Sequence, residues 1–146
     1  MIYPDVIDVL LGQHVEIRRL CAQVQQAGDD RRQLFDALAR LVHSHEVGER
    51  TVAHRPVRNS NRFGDEVGRA CMLEEETIDL TIGRLHRLGV EHADFEDGFA
   101  SLRQAIAEHT AREERDEFPL LRRYVPVDRL HMMAGELHDI QLMAAS

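Results

Sequence analysis

Four times along this chain an apolar residue recurs every three or four positions, and each time histidine or glutamate interrupts the stripe where leucine would otherwise pack. The first stretch runs from about Pro4 to Ala27-Gly28-Asp29, and its face carries Val6, Leu10, Ile17, Cys21 and Val24 together with His14. The second begins after Asp30 and places Leu34, Leu38, Leu41, His45, Glu49 and Val52 in register; Pro56 should stop it. Arg58-Asn59-Ser60-Asn61-Arg62 reads as a loop. A third helix follows with Cys71, Glu75, Ile78, Ile82 and Leu85 on one line before Gly89. The fourth, from about Asp94, aligns Phe95, Phe99, Leu102, Ile106, His109 and Glu113, with Pro119 marking an end or a kink. A shorter fifth segment, from Val127 to about Ala144, offers Leu130, Met133, Leu137 and Met143 as cover for an end or side. With no alternating strand pattern and 146 residues, the expectation is one all-α domain over 1–146. It would be an up-down four-helix bundle over about 5–120 with an additional C-terminal helix over about 127–144.

A buried ionisable group is costly unless something compensates it, and a metal ion compensates several at once. His45 and Glu49, like His109 and Glu113, stand one helical turn apart on one face, which suits an ion lying beside the helix. His14 comes about 9 residues after the first helix starts, Glu49 about 7 before the second ends, and Glu75 about 11 after the third starts. At about 1.5 Å per residue these offsets correspond to depths of roughly 10 to 17 Å in antiparallel neighbours, so the candidates share one layer. The candidate ligands are therefore His14, His45, Glu49, Glu75, His109 and Glu113. Three imidazoles and three carboxylates exceed what one tetrahedral zinc needs, and suit two octahedral ions bridged by carboxylates and a solvent oxygen, iron first and manganese second.

Composition narrows the partners. The chain is 43% hydrophobic and 30% charged, with 18 basic against 26 acidic residues and a formal charge of -8. No basic excess exists to meet nucleic acid or an anionic membrane. MIYPDVIDVLLGQHVEIRRL has neither a basic start nor a small-residue cleavage site, and no apolar run approaches the roughly 20 residues of a membrane span, so a cytoplasmic protein is expected. Cys21 and Cys71 lie apart in amphipathic segments and read as reduced core thiols. His43, His86, His92, His131 and His138 read as solvated, Glu74 and Glu76 as an acidic outer face, and Met132, Met133 and Met143 as core or lid packing.

The DVLLGQH segment ending at His14, HEVGE from His45 to Glu49, and HTAREERDEFPLL from His109 resemble blocks of the hemerythrin HHE cation-binding family in spacing and flanking residues. The resemblance spans roughly residues 5 to 120. It implies a non-haem di-iron centre with an oxo or hydroxo bridge, Glu49 and Glu113 as bridging ligands and the histidines as terminal ones. One departure stands out: the family usually carries a histidine on its third helix, where this chain reads Leu73-Glu74-Glu75-Glu76, and periodicity puts Glu75 in that place. Glu46 matches a position that contributes an acid in some members, but one residue of helix turns it about 100° from His45, so it is held beside the ligand set rather than in it, with Asp79, one turn after Glu75, as a similar reserve; His54, near the end of the second helix, is the residue offered for proton transfer.

Exchanging an imidazole for a carboxylate makes the site one charge unit less positive, which favours the ferric state and disfavours reversible oxygen carriage. An enzyme is thus preferred to a carrier, and the resemblance implies a catalase-like or peroxidase reaction on peroxide, or disposal of nitric oxide, in a monomer or weak homodimer. The alternative is an oxygen, nitric oxide or iron binding or sensing module without turnover. A phosphotransfer histidine fits badly, because His45 and His109 lie in apolar stripes, and a ferritin-type oxidase needs Glu-x-x-His pairs that are missing here.

Overall fold

The computed structural model describes residues 3–145. Asp5 starts the first helix: its side chain accepts from the Asp8 backbone N–H at 2.9 Å while the Asp8 carboxylate accepts from the Asp5 backbone N–H at 3.1 Å, a closed capping box. From there α1 runs Val6–Gln26, and α2, Arg31–Glu49, returns antiparallel beside it. After Asn61, which caps through the Gly64 N–H, α4 runs Arg62–Leu88. Gly89, at φ +89°, ends it in a backbone region that side-chain-bearing residues rarely enter. The fourth long element opens with α5, Phe95–Arg112, which packs on α4 and α1. The result is the expected four-helix bundle with one more helix, α7 (Val127–Ala144), laid against α1 and α2. No helix among the described residues is long and apolar enough to cross a membrane.

Two long elements depart from regular α-helix, and both do so just before a proline. Beyond Glu49 the chain forms a π turn, π1, over Arg50–His54, and continues as α3, Arg55–Arg58. Beyond Arg112 it forms π2 over Glu113–Glu117 and continues as α6, Phe118–Tyr124. Neither Pro56 nor Pro119 stops its helix, contrary to the expectation for Pro56, and the loop shrinks to residues 59–61. Proline removes an N–H and its ring crowds the carbonyl four residues back. Here the preceding turn is already widened, with the Arg55 N–H reaching Arg50 O and the Phe118 N–H reaching Glu113 O, five residues back.

The apolar interior divides in two. One cluster joins Ile17, Val24, Phe35, Leu38, Ile78, Leu85, Phe95, Phe99 and Leu102 among others. The second joins Val6, Leu10, Val52, Val57, Cys71, Phe118, Leu121, Leu130, Met133 and Leu137 among others. Each such side chain, fully buried, stabilises by about 1.5–3 kcal/mol. Met133 belongs to this core, but Met132 and Met143, 63% and 79% exposed, lie outside it. Between the clusters lies the layer of buried histidine and glutamate.

Candidate metal centre

His14 from α1, His45 and Glu49 from α2, and Glu113 from π2 bring one donor atom each to within 4.8 Å of one another. His14 Nε2 stands 3.1 Å from Glu113 Oε1 and 3.2 Å from His45 Nε2, and His45 Nε2 touches Glu49. A second group, equally tight, consists of Glu49, His54, Glu75 and Glu113. In it His54 Nε2 is 2.6 Å from Glu75 Oε1 and 3.9 Å from Glu113 Oε2. His109 Nε2 closes this side at 3.5 Å from Glu75 Oε1 and 3.4 Å from Glu113 Oε2. Glu49 and Glu113 belong to both groups, and Glu113 turns one oxygen to each. All six candidates read from the sequence thus converge on one double cluster.

His54 is the member that α-helical periodicity misses. Five residues after Glu49, a regular helix would carry it about 140° around the axis, away from the bundle interior. The π turn absorbs the extra residue, so His54 returns to the face of Glu49 and is 1% exposed. The sequence signal was Pro56 inside an otherwise continuous helical pattern, a place where backbone hydrogen bonding must change. His54 also supplies the imidazole that the third helix lacks, so the expected deficit of one histidine is offset by the second. π2 does the same service on the opposite side: Phe118, five residues after Glu113, stacks beneath His14 at 5.6 Å between ring centroids.

Every imidazole of the cluster turns Nε2 inward and gives Nδ1–H to an acceptor. The partners are Glu114 Oε2 for His14 at 2.8 Å, Gln13 Oε1 for His45 at 2.7 Å, Glu117 Oε2 for His54 at 2.6 Å and Glu74 Oε1 for His109 at 3.0 Å. Glu74 is itself held by Arg112 Nε at 2.9 Å. It is therefore no part of a solvated acidic face, whereas Glu76 is exposed. This arrangement fixes the tautomer that offers a lone pair at Nε2 and raises its basicity, as histidine ligands of metals require. His43, His86, His92, His131 and His138 are all exposed.

The electrostatics are those of a cation site held together by protons. Burial and the neighbouring His45 push His14 down to about 4, leaving it neutral. Burial opposes charge on His109 and His54 too, but the carboxylates of Glu74 and Glu75 push His109 up to about 10, and Glu117 and Glu75 hold His54 well above its ordinary value. Burial and the facing Glu49 push Glu113 up, while Glu49, despite burial, is held down by His45 and Glu113. Glu46, 2% exposed, is pushed up to about 10 by burial, Asp79 and Glu75 and stays neutral; Asp79 itself is exposed. Protons alone leave the site unsatisfied. Both oxygens of Glu49 and Glu113, Glu75 Oε2 and His109 Nε2 are buried without a hydrogen-bond partner within the double cluster, and both oxygens of Glu46 and Glu117 Oε1 are so outside it. The lone pairs of His14 and His45 also face each other at 3.2 Å. A cation in each group answers the faults within the double cluster together, so those residues fit a pair of metal ions. Cys21 and Cys71 are buried free thiols, and Cys71 places its sulfur within 4.8 Å of donor atoms of His54, Glu113 and Glu117.

The comparisons with known proteins agree with this geometry. The chain superposes on a crystal structure of a hemerythrin HHE cation binding domain-containing protein from Mycobacterium kansasii with a TM-score of 0.84 at 19% identity, covering 97% of this chain and 88% of that one. That likeness establishes the fold. No curated protein matches the sequence. The profile of the hemerythrin HHE cation binding domain matches residues 5–121, which takes in every residue of both donor groups. The chain therefore belongs to the hemerythrin HHE cation-binding domain family and is a metal-binding helical module.

Proposed function

We propose that the chain holds two iron ions, with manganese the second choice, and turns over peroxide with them, acting on small molecules in the cytoplasm. The observation that carries this reading is the pair of donor groups sharing Glu49 and Glu113. His14 and His45 would serve one ion, and His54, Glu75 and His109 the other, with the two shared carboxylates between them. The first group has fewer donors than the second, so an ion held there by His14, His45, Glu49 and Glu113 would be the one able to accept an exogenous ligand. When bound, such a pair supplies Lewis acidity and an exchangeable pair of electrons. The protein's part is to hold the donors, to orient each imidazole through its Nδ1 partner, and to keep bulk water out of a layer closed by apolar cores on both sides. Glu46, a carboxyl 2% exposed and within electrostatic reach of Glu75 and His109, would be the nearby proton donor on the protein side.

His54 also supports a second reading. With it the centre carries four imidazoles, so the carboxylate excess that argues against reversible binding is smaller than the sequence suggests. A module that binds oxygen or nitric oxide without turnover is the alternative. Metal analysis combined with oxygen release on adding peroxide separates the two, run on the native chain and on Glu75→Ala and His109→Ala. Two irons per chain with oxygen release lost in both variants supports the enzyme. A metal-replete chain without turnover selects the binding module, and a folded chain that takes up no metal overturns both.

A further inference from the structure

The family profile ends at residue 121, yet the structure places a side chain from α7, beyond that limit, in the hydrogen-bond network of the metal centre. Three of the four imidazoles have a carboxylate on Nδ1; His45 has the neutral amide of Gln13. A carboxylate can only accept, so it fixes the imidazole tautomer whichever way it turns. An amide can present either its oxygen or its NH2, and the wrong face would require His45 Nδ1 to accept, which would put the ring proton on Nε2 and block its lone pair.

The amide of Gln13 is oriented from α7. Gln141 Nε2 donates to Gln13 Oε1 at 3.1 Å, and Gln13 Nε2 donates to Gln141 Oε1 at 3.0 Å, a reciprocal pair. The orientation of Gln141 is set in turn by Ser44, whose backbone carbonyl accepts from the same Nε2 at 3.4 Å. α7 comes this close because Gly48 presents no side chain: a Cβ there would collide with Leu137 Cδ1 and stand 3.3 Å from Gln141 Nε2. The amide of Gln141 is thereby held one residue link away from a candidate ligand.

We propose that Gln141 is a positioning residue of the metal centre: through Gln13 it holds His45 in the tautomer that offers Nε2 to a metal, so that α7 is a working part of the site. The proposal rests on the reading of His45 as a ligand. Direct partners of ligating histidines are worth about 10–100-fold in metal affinity when removed. Gln13→Leu should therefore speed the chelator-driven loss of metal by about 10–100-fold, and Gln141→Leu, acting at one remove and keeping its packing on Gly48, by up to about 10-fold.

The decisive comparison is the double variant. If Gln141 acts through Gln13, adding Gln141→Leu to Gln13→Leu produces no further acceleration; a merely structural role would add to it. A second readout needs no metal: nitrogen NMR of the metal-free chain should show His45 protonated at Nδ1 in the native chain and a tautomer mixture in Gln141→Leu. Unchanged metal loss in Gln141→Leu, full additivity in the double variant, or an unchanged His45 tautomer would each overturn the proposal. A native chain that binds no metal would sink the metal reading by itself, and the tautomer comparison would still decide whether Gln141 orients His45.

Discussion

The two apolar halves of the bundle are built in different ways. The half around Phe35, Phe95 and Phe99 consists of uninterrupted α-helix from four elements, with the rings in T-shaped and stacked contacts at 5.4 to 6.1 Å. The half around Val52, Phe118 and Leu137 contains both π turns, both mid-helix prolines and α7. One half keeps the 3.6-residue repeat and carries packing energy. In the other the repeat is broken twice, and each break turns a side chain toward the layer between them: His54 after π1, and Phe118 after π2. Regular helix is enough to stabilise a bundle, and departures from it place the donors that regular spacing cannot reach.

The strongest way to break this division is at the shared carboxylates. Glu113→Ala removes a member of both donor groups, so bound metal should fall to nothing, whereas His54→Ala removes a member of one group and should leave a single ion per chain. Elemental analysis after desalting reads both. An equal loss in the two variants would show that the subsites do not fill separately. Next in size is Phe99→Ala in the regular half. It should cost about 3–5 kcal/mol of unfolding free energy, as large aromatic truncations in cores do, while leaving metal content per folded chain unchanged. A denaturant titration paired with metal analysis checks it; loss of metal from a folded Phe99→Ala chain would show that the halves are mechanically one.

The halves should also differ in their response to pH. In the metal-free fold His109 is raised to about 10, so its contribution to stability is complete below its unfolded value of about 6.5 and is lost as pH climbs through the folded value. His54, raised by Glu117 and Glu75 despite burial, acts in the same direction. Metal-free protein should therefore lose stability from neutral toward alkaline pH, and metal-loaded protein should not, because the ions replace those protons. Loading should release protons at neutral pH and tighten as pH rises, which calorimetry in buffers of different ionisation enthalpy measures. The cost of Phe99→Ala, whose cluster includes one thiol, Cys21, pushed up to about 11 by burial, should stay flat below that value.

How much of the molecule could be read in advance follows the same line. The regular half was legible from periodicity alone, since Phe95, Phe99, Leu102 and Ile106 fall where an α-helix puts them and are all buried. His14, His45, Glu49, Glu75, His109 and Glu113 were legible because they sit at apolar positions of regular helix. His54 was not, because its placement depends on a hydrogen-bond shift that no count of residues at 3.6 per turn contains. Glu74, Gln13, Glu114 and Glu117 were not either, since an Nδ1 acceptor can stand on a neighbouring helix or within the same acidic stretch, and spacing does not distinguish it from a solvated residue.

The smallest effect concerns how the irregular half is fastened at its edge. Burial alone would raise the Asp5 carboxyl, but the Asp8 backbone N–H and Arg122, whose Nη1 lies 3.1 Å away, hold it below its ordinary value. One side chain thus caps α1 and ties it to α6, across the mouth of the half that contains both π turns. Asp5→Ala should cost about 1 kcal/mol, the usual worth of a lost N-cap, and Asp5→Asn less, because asparagine caps nearly as well and gives up only the pairing with Arg122. A carboxylate with a depressed folded value stabilises above its unfolded value of about 4, and that advantage disappears as pH falls through the folded one. The difference between the native chain and Asp5→Ala should therefore shrink in acid, while the part that Asp5→Asn retains should persist. If metal retention also falls in Asp5→Ala, the edge contact is transmitted to the donor layer, and the irregular half behaves as one unit from its cap to His14.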